Sequence, residues 1–278
     1  MDTVEVAAAL LSALLHAAWN AGVKASRAPV ETMTAQMVLS AAIVLPGLFW
    51  SGLPQPAAWP WIAASTLMNV LTVTALLRAY ALGGFGMVYP MMRALAVLLV
   101  VPLAATLAGE RIGGAALLGV GVIVAALAAL AVDAARDRTI PPAALGWTIA
   151  AGIGTAAYIL CDARGVRAAG SPLAYAIVVS TANALAMCWR RRLAGPLWAP
   201  LRRAWRPAWP IACGSAVSYL LILWVWSRAP IAPAAALRDT SAVFALLIAI
   251  YWLKEPFTPA RIAAVLLATA AVPLLRLG

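Results

Sequence analysis

The chain has 278 residues, of which 65% are hydrophobic and only 10% charged, a balance that one soluble core of this size could not bury. A formal net charge of +11 would point to nucleic acid in a soluble protein. Here the basic residues sit in short gaps between apolar runs, not on one stripe, so they read as topology signals, with membrane lipid and not nucleic acid as the partner. Cys161, Cys188 and Cys213 are isolated, and His16 is the one histidine, so no disulfide framework, metal site or cofactor is expected.

A bilayer core about 30 Å thick needs roughly 17 to 25 apolar residues per helix. Ten such runs follow in chain order, at 4–23, 32–50, 59–77, 85–108, 112–132, 142–160, 172–189, 209–226, 230–253 and 259–275. Asp2 and Glu5 precede or open the first run with no basic segment, so that run is expected to remain as a helix and not be cleaved as a signal peptide. Trp50, Trp59, Trp189, Trp209 and Trp252 lie at run edges, where indole rings anchor at the membrane interface. The polar, proline-ended stretch 133–142 divides the chain into near-equal units, 1–138 and 139–278.

The two units resemble each other. In the fourth run Arg93 stands seventeen residues before Glu110, and in the ninth Arg238 stands seventeen before Glu255. His16 to Asn20 (HAAWN) in the first run matches Thr155 to Ile159 (TAAYI) in the sixth, and Asn69 and Thr72 in the third match Ser215 and Ser218 in the eighth. Five is odd, so a second copy inserts upside down, and inverted repeats place a binding site at their interface near the midplane. The expected fold is therefore an all-α integral membrane protein of ten transmembrane helices in two inverted five-helix repeats.

Polar faces are costly against lipid, so the runs that carry them, the first, third, fourth, sixth, eighth and ninth, are expected around a central cavity. The fifth run has no polar side chain and the tenth almost none, which places both at the periphery; Gly113, Gly114, Gly119 and Gly121 would let the fifth pack closely. His16, Asn20 and Lys24 share one stripe at i, i+4 and i+8, with Trp19 beside them. His16 is either a proton sensor or a neutral hydrogen-bonding core residue, and Lys24 is expected to snorkel to the interface. Thr155, Tyr158 and Asp162 form a second face, with Asp162 placed near the membrane boundary and open to solvation. Asp239 is either a proton-coupling carboxylate or the partner of a basic residue on a neighbouring helix.

Arg93 and Arg238 are the costliest residues, at about 2.5–3.5 kcal/mol each on insertion scales. Either both reach one cavity and hold an anionic part of a substrate, or they are neutralised internally, Arg238 by Asp162 and Arg93 by Asp239. Tyr89, Tyr158, Ser218 and Tyr219 complete the expected binding set with His16, Trp19, Asn20, Asn69 and the two arginines. Pro90, Pro230 and Pro233 stand early in the arginine-bearing runs, where they start or bend helices.

Between the last two runs of each unit stand Gly109-Glu110-Arg111 and Lys254-Glu255-Pro256. With the five-plus-five architecture, these tripeptides resemble the drug/metabolite transporter superfamily, specifically its EamA-like group, over essentially the whole chain. The resemblance implies an exporter or exchanger fold with both termini in the cytoplasm. Charge counting gives the opposite orientation: setting aside Arg93 and Arg238, the other 18 basic residues divide 13 to 5 in favour of termini outside, mainly through Arg190, Arg191, Arg192, Arg202, Arg203 and Arg206.

No Walker-type glycine loop is present to cradle ATP, and no HExxH or GxSxG motif to support an enzyme. The expected function is a secondary active transporter in the cell (inner) membrane, moving a small polar or charged metabolite with an anionic or zwitterionic group by alternating access. A lipid-type flippase or an accessory membrane subunit is the alternative. A monomer is compatible with this reading.

Overall fold

Asp2 opens the first helix: its side chain accepts from the Glu5 backbone N–H at 2.7 Å, while the Glu5 carboxylate accepts from the Asp2 N–H at 2.9 Å. This reciprocal cap satisfies two donors that a helix start leaves unpaired, and α1 (Thr3–Ala25) follows from it. Proline, whose fixed φ suits a first turn, stands at the start of α2 (Pro29–Val44), α4 (Trp59–Leu82), α7 (Pro142–Ala168) and α8 (Pro172–Leu193). A 3-10 turn at Leu45–Gly47 joins α2 to the short α3 (Leu48–Ser51). The remaining helices are α5 (Phe85–Ala108), α6 (Gly114–Arg136), α9 (Trp198–Trp226), α10 (Ile231–Asp239) and α11 (Ser241–Tyr251). Gly109, with φ at 65°, ends α5 in the left-handed conformation that a side chain would disfavour.

This computed structural model describes residues 1–109, 113–136 and 141–252, with 259, 263, 266–267, 270–271 and 274 beyond them. Most of the tenth run, Glu110-Arg111, Lys254-Glu255-Pro256 and residues 137–140 of the expected linker lie outside the described residues. No strand occurs among the described residues, and seven helical segments are long and apolar enough to cross a membrane. The protein is an α-helical, multi-pass membrane protein.

The helices differ from the expected runs in three informative places. Helix α7 does not stop at 160 but continues to Ala168, which brings Asp162 inside the rod, 1% exposed. Helix α9 starts at Trp198, not 209, and runs through Pro207 and Pro210, carrying Arg202, Arg203 and Arg206 on its first turns. Pro207 removes one helical donor, and the carbonyl it orphans belongs to Arg203, on the exposed side. The ninth run is two helices that meet at Thr240, whose hydroxyl bonds back to the Leu237 carbonyl at 2.6 Å.

Packing is by pairs. Helix α4 lies along α7 and α1 along α9; α2 packs on α9 and α4 on α8; α5 packs on α7, and α1 on α10 and α11. At the α1–α9 crossing Ser12 donates to the Ser218 carbonyl at 2.7 Å and Ser218 to the Ser12 carbonyl at 2.8 Å. At the α4–α7 crossing a Cβ on Gly154 would stand 2.2 Å from Thr72 Oγ1, so only glycine permits that approach. Helix α6 packs chiefly on α5, away from the centre. An added Cβ at Gly114 or Gly121 would meet nothing within 4 Å, so these glycines do not mark the close packing expected of them.

Candidate functional site

A cavity of about 110 Å³ opens among eight helices, enough for several waters or one small solute. Helix α1 supplies His16 and Asn20, one turn apart, with Trp19 at their side. The opposite walls carry Asn69 and Thr72 from α4, Thr155 and Tyr158 from α7, and Ser215 and Tyr219 from α9, while α10 supplies Arg238. Met33, Val73, Leu76 and Met92 form the apolar part of the wall. Helical spacing of i, i+3 or i+4 explains how each pair of polar residues turns to the same side.

Among the described residues Arg238 is the one charged member of the cavity wall, and it is 3% exposed. Its Nη2 lies 3.3 Å from His16 Nδ1, and its guanidinium carbon sits 5.3 Å from the centroid of the Trp226 ring. A guanidinium only donates, so His16 Nδ1 is the acceptor and the imidazole is neutral with its proton on Nε2. The Arg238 Nε and Nη1 donors have no hydrogen-bond partner. His16 also meets Trp19 edge to face, with ring centroids 5.0 Å apart.

Four carboxamides share the wall: Asn20, Gln36, Asn69 and Asn183. Each has a carbonyl oxygen that is buried and without a partner. Two of these orientations follow from their neighbours. The Asn20 amide donates to the His16 backbone carbonyl at 2.9 Å, which can only accept. The Gln36 amide donates to Ser40 Oγ at 3.0 Å, and Ser40 has already committed its proton to the Ala212 carbonyl at 3.0 Å. Asn20 Oδ1 and Gln36 Oε1 are therefore fixed as acceptors.

Three of the expected binding residues lie off the cavity wall. Arg93, with no exposure, forms a buried ion pair with Asp239, from the opposite unit of the chain. Tyr89 lies beside it in a second layer, donating to Ser241 Oγ at 2.9 Å and stacking on Phe85. Ser218 is spent on the Ser12 crossing. The expected binding residues on the wall are His16, Trp19, Asn20, Asn69, Tyr158, Tyr219 and Arg238.

One other expectation changes. Asp162 is not solvated at a boundary: its carboxylate accepts from Ser65, from Tyr175 at 3.1 Å and from Tyr219 at 2.9 Å. Tyr219 thus links this buried carboxylate to the cavity. Lys24 turns to the C-terminal end of α4, donating to the Tyr80 carbonyl and to that of Gly83 at 3.1 Å. Reading only six polar-faced runs also missed the contributions of α2 and α8, Gln36 with Ser40 and Ser180 with Asn183. Their i, i+4 and i, i+3 spacings carried the signal.

No protein-family model matches the chain, and no curated protein sequence does so either. Among solved structures, one crystal structure is similar over 99% of this chain and 96% of its own, with a TM-score of 0.76 at 18% sequence identity. That likeness is one of fold.

Proposed function

We propose that the protein is a secondary active transporter, an exporter or exchanger of the drug/metabolite transporter type, that moves a small polar metabolite with an anionic or zwitterionic group by alternating access. The observation that carries the proposal is Arg238: a permanently charged fork inside a membrane bundle, on the wall of a cavity, with two buried donor nitrogens that have no partner among the described residues. Such a group is costly unless a ligand completes it, and carboxylate or phosphonate oxygens match its geometry.

The architecture proposed is ten helices in two inverted repeats, units 1–138 and 139–278. It is supported by helix pairing that maps onto itself when the units are exchanged: α4–α7 with α1–α9, α2–α9 with α4–α8, and α5–α7 with α1 on α10 and α11. The cavity draws wall residues from both units, which suits rocking of one against the other. The proposed location is the inner cell membrane, with termini outside as the basic residues favour.

His16 is the proposed proton-coupling group. A proton on Nδ1 removes the acceptor that Arg238 Nη2 uses and sets two cations side by side, which frees the guanidinium for an anionic ligand. Asp239, engaged by Arg93, holds the bundle together in this scheme. Counterflow in proteoliposomes tests the function: protein-dependent accumulation of a radiolabelled small anion or zwitterion is expected, whereas scrambling of labelled phospholipid without solute uptake would favour a flippase.

A further inference from the structure

We infer that the cavity selects a short zwitterion, with its ammonium group held by carboxamide oxygens and its anionic end by Arg238. The inference rests on the transporter reading and specifies its substrate class. Arg238 accounts for only one end of a ligand. Elsewhere on the wall, Asn20, Gln36 and Asn183 are each at least nine-tenths buried and present a carbonyl oxygen with no donor. Asn69 adds a fourth. For Asn20 and Gln36 the amide cannot flip to relieve this, because its NH2 group is already committed to a group that must accept.

A bound species that supplies hydrogen-bond donors away from its anion would complete these oxygens. An ammonium brings three donors and no acceptor in one small group. A hydroxyl brings one donor together with lone pairs that would face the same carbonyls. A simple anion leaves all four oxygens unmet, and buried acceptors without donors weaken binding. Among the described wall residues there is no carboxylate. Recognition of the cation thus depends on N–H donation to neutral oxygens, and a quaternary ammonium, which has no N–H, cannot substitute. Size agrees: Asn20 is one helical turn, about 6 Å of rise, from His16, which itself touches Arg238. Four extended bonds between the charged centres reach about 5 Å, close to that rise, and such a molecule is small enough for about 110 Å³.

Binding of a matched probe set to the purified full chain in detergent tests this by calorimetry. The set is 4-aminobutyrate and its two shorter homologues, the 4-hydroxy, unsubstituted and 4-trimethylammonio butyrates, and the aminoalkylphosphonates of the same lengths. At least one primary-amine zwitterion is expected to bind about tenfold or more tightly than its hydroxy, unsubstituted and trimethylated counterparts. Gln36→Met and Asn20→Leu, each checked for folding by its melting curve, are expected to weaken that zwitterion about tenfold and to leave butyrate unchanged. Equal affinity for butyrate, for the hydroxy acid or for the trimethylated probe overturns the inference, as does a set in which no zwitterion binds. Counterflow is scored separately: zwitterion binding without translocation would defeat the transporter reading and leave this selectivity standing.

Discussion

Arg93 and Arg238 occupy matched places in the two units of the chain, yet they lie in different electrostatic surroundings. Arg93 is followed by Ala94, and Arg238 by Asp239. The carboxylate does not neutralise its own neighbour; it pairs with Arg93 from the other half of the chain, so one arginine has its charge paired inside the protein, although its Nε and Nη1 also lack acceptors, and the other has no carboxylate partner among the described residues and lines a cavity. A single acidic residue, Asp239, with no counterpart after Arg93, thus separates an internal ion-pair layer from the proposed binding layer.

The largest effect should come from breaking the structural layer. Asp239→Asn strands the Arg93 charge in the interior and is expected to cost about 3–5 kcal/mol, seen as a steep fall in melting temperature or in folded yield. Replacing both partners, Arg93→Met with Asp239→Leu, should recover most of that loss. A wild-type melting curve for the single variant would show that the pair does not hold the bundle.

Arg238→Met should act in the opposite way. Removing an incompletely paired buried cation is expected to change stability by less than about 1 kcal/mol while lowering affinity for an anionic or zwitterionic probe at least tenfold. A collapse in stability with unchanged affinity would place Arg238 in the same structural class as Arg93.

A smaller, several-fold effect is expected within the cavity wall itself. His16 Nδ1 accepts from Arg238, so acidification through the imidazole's titration should loosen that contact and tighten anion binding. His16→Asn keeps an acceptor without the titration, and the pH dependence of probe binding should flatten. Persistence of the full dependence would remove His16 from the coupling. The smallest effect should be at the rim, where Arg191 and Glu31 pair at 3.1 Å while partly exposed. Glu31→Gln should cost less than about 1 kcal/mol and leave both layers intact.

Much of this was legible in composition and periodicity. Helix α5 spans the 85–108 expected of it, because Gly84 and Gly109 bound a run whose one charged residue is Arg93. Helix ends were harder where polar residues continue a buried helix. Asp162 follows Cys161 and precedes Ala163 and Arg164, which reads as a membrane boundary until Ser65, Tyr175 and Tyr219 are seen to converge on it from three other helices. The eighth run was likewise placed too late, at 209, although α9 begins at Trp198 and runs through Pro207 and Pro210. The pairing of Arg93 with Asp239 could be framed only as one of two alternatives, since sequence spacing does not say which helices face each other. Gln36 and Asn183 were legible only through their spacing from Ser40 and Ser180, a weak signal in two runs, 32–50 and 172–189, that carry no charged residue.

The most direct test is counterflow in proteoliposomes with the tightest-binding zwitterion of the probe set, comparing wild-type protein, Arg238→Lys and Glu31→Gln. Lysine retains the charge but loses the planar fork. The account predicts protein-dependent accumulation by wild type and Glu31→Gln, and at least a tenfold loss in a folded Arg238→Lys variant. Uptake by wild type no greater than that of empty liposomes, or full uptake by Arg238→Lys, would contradict it.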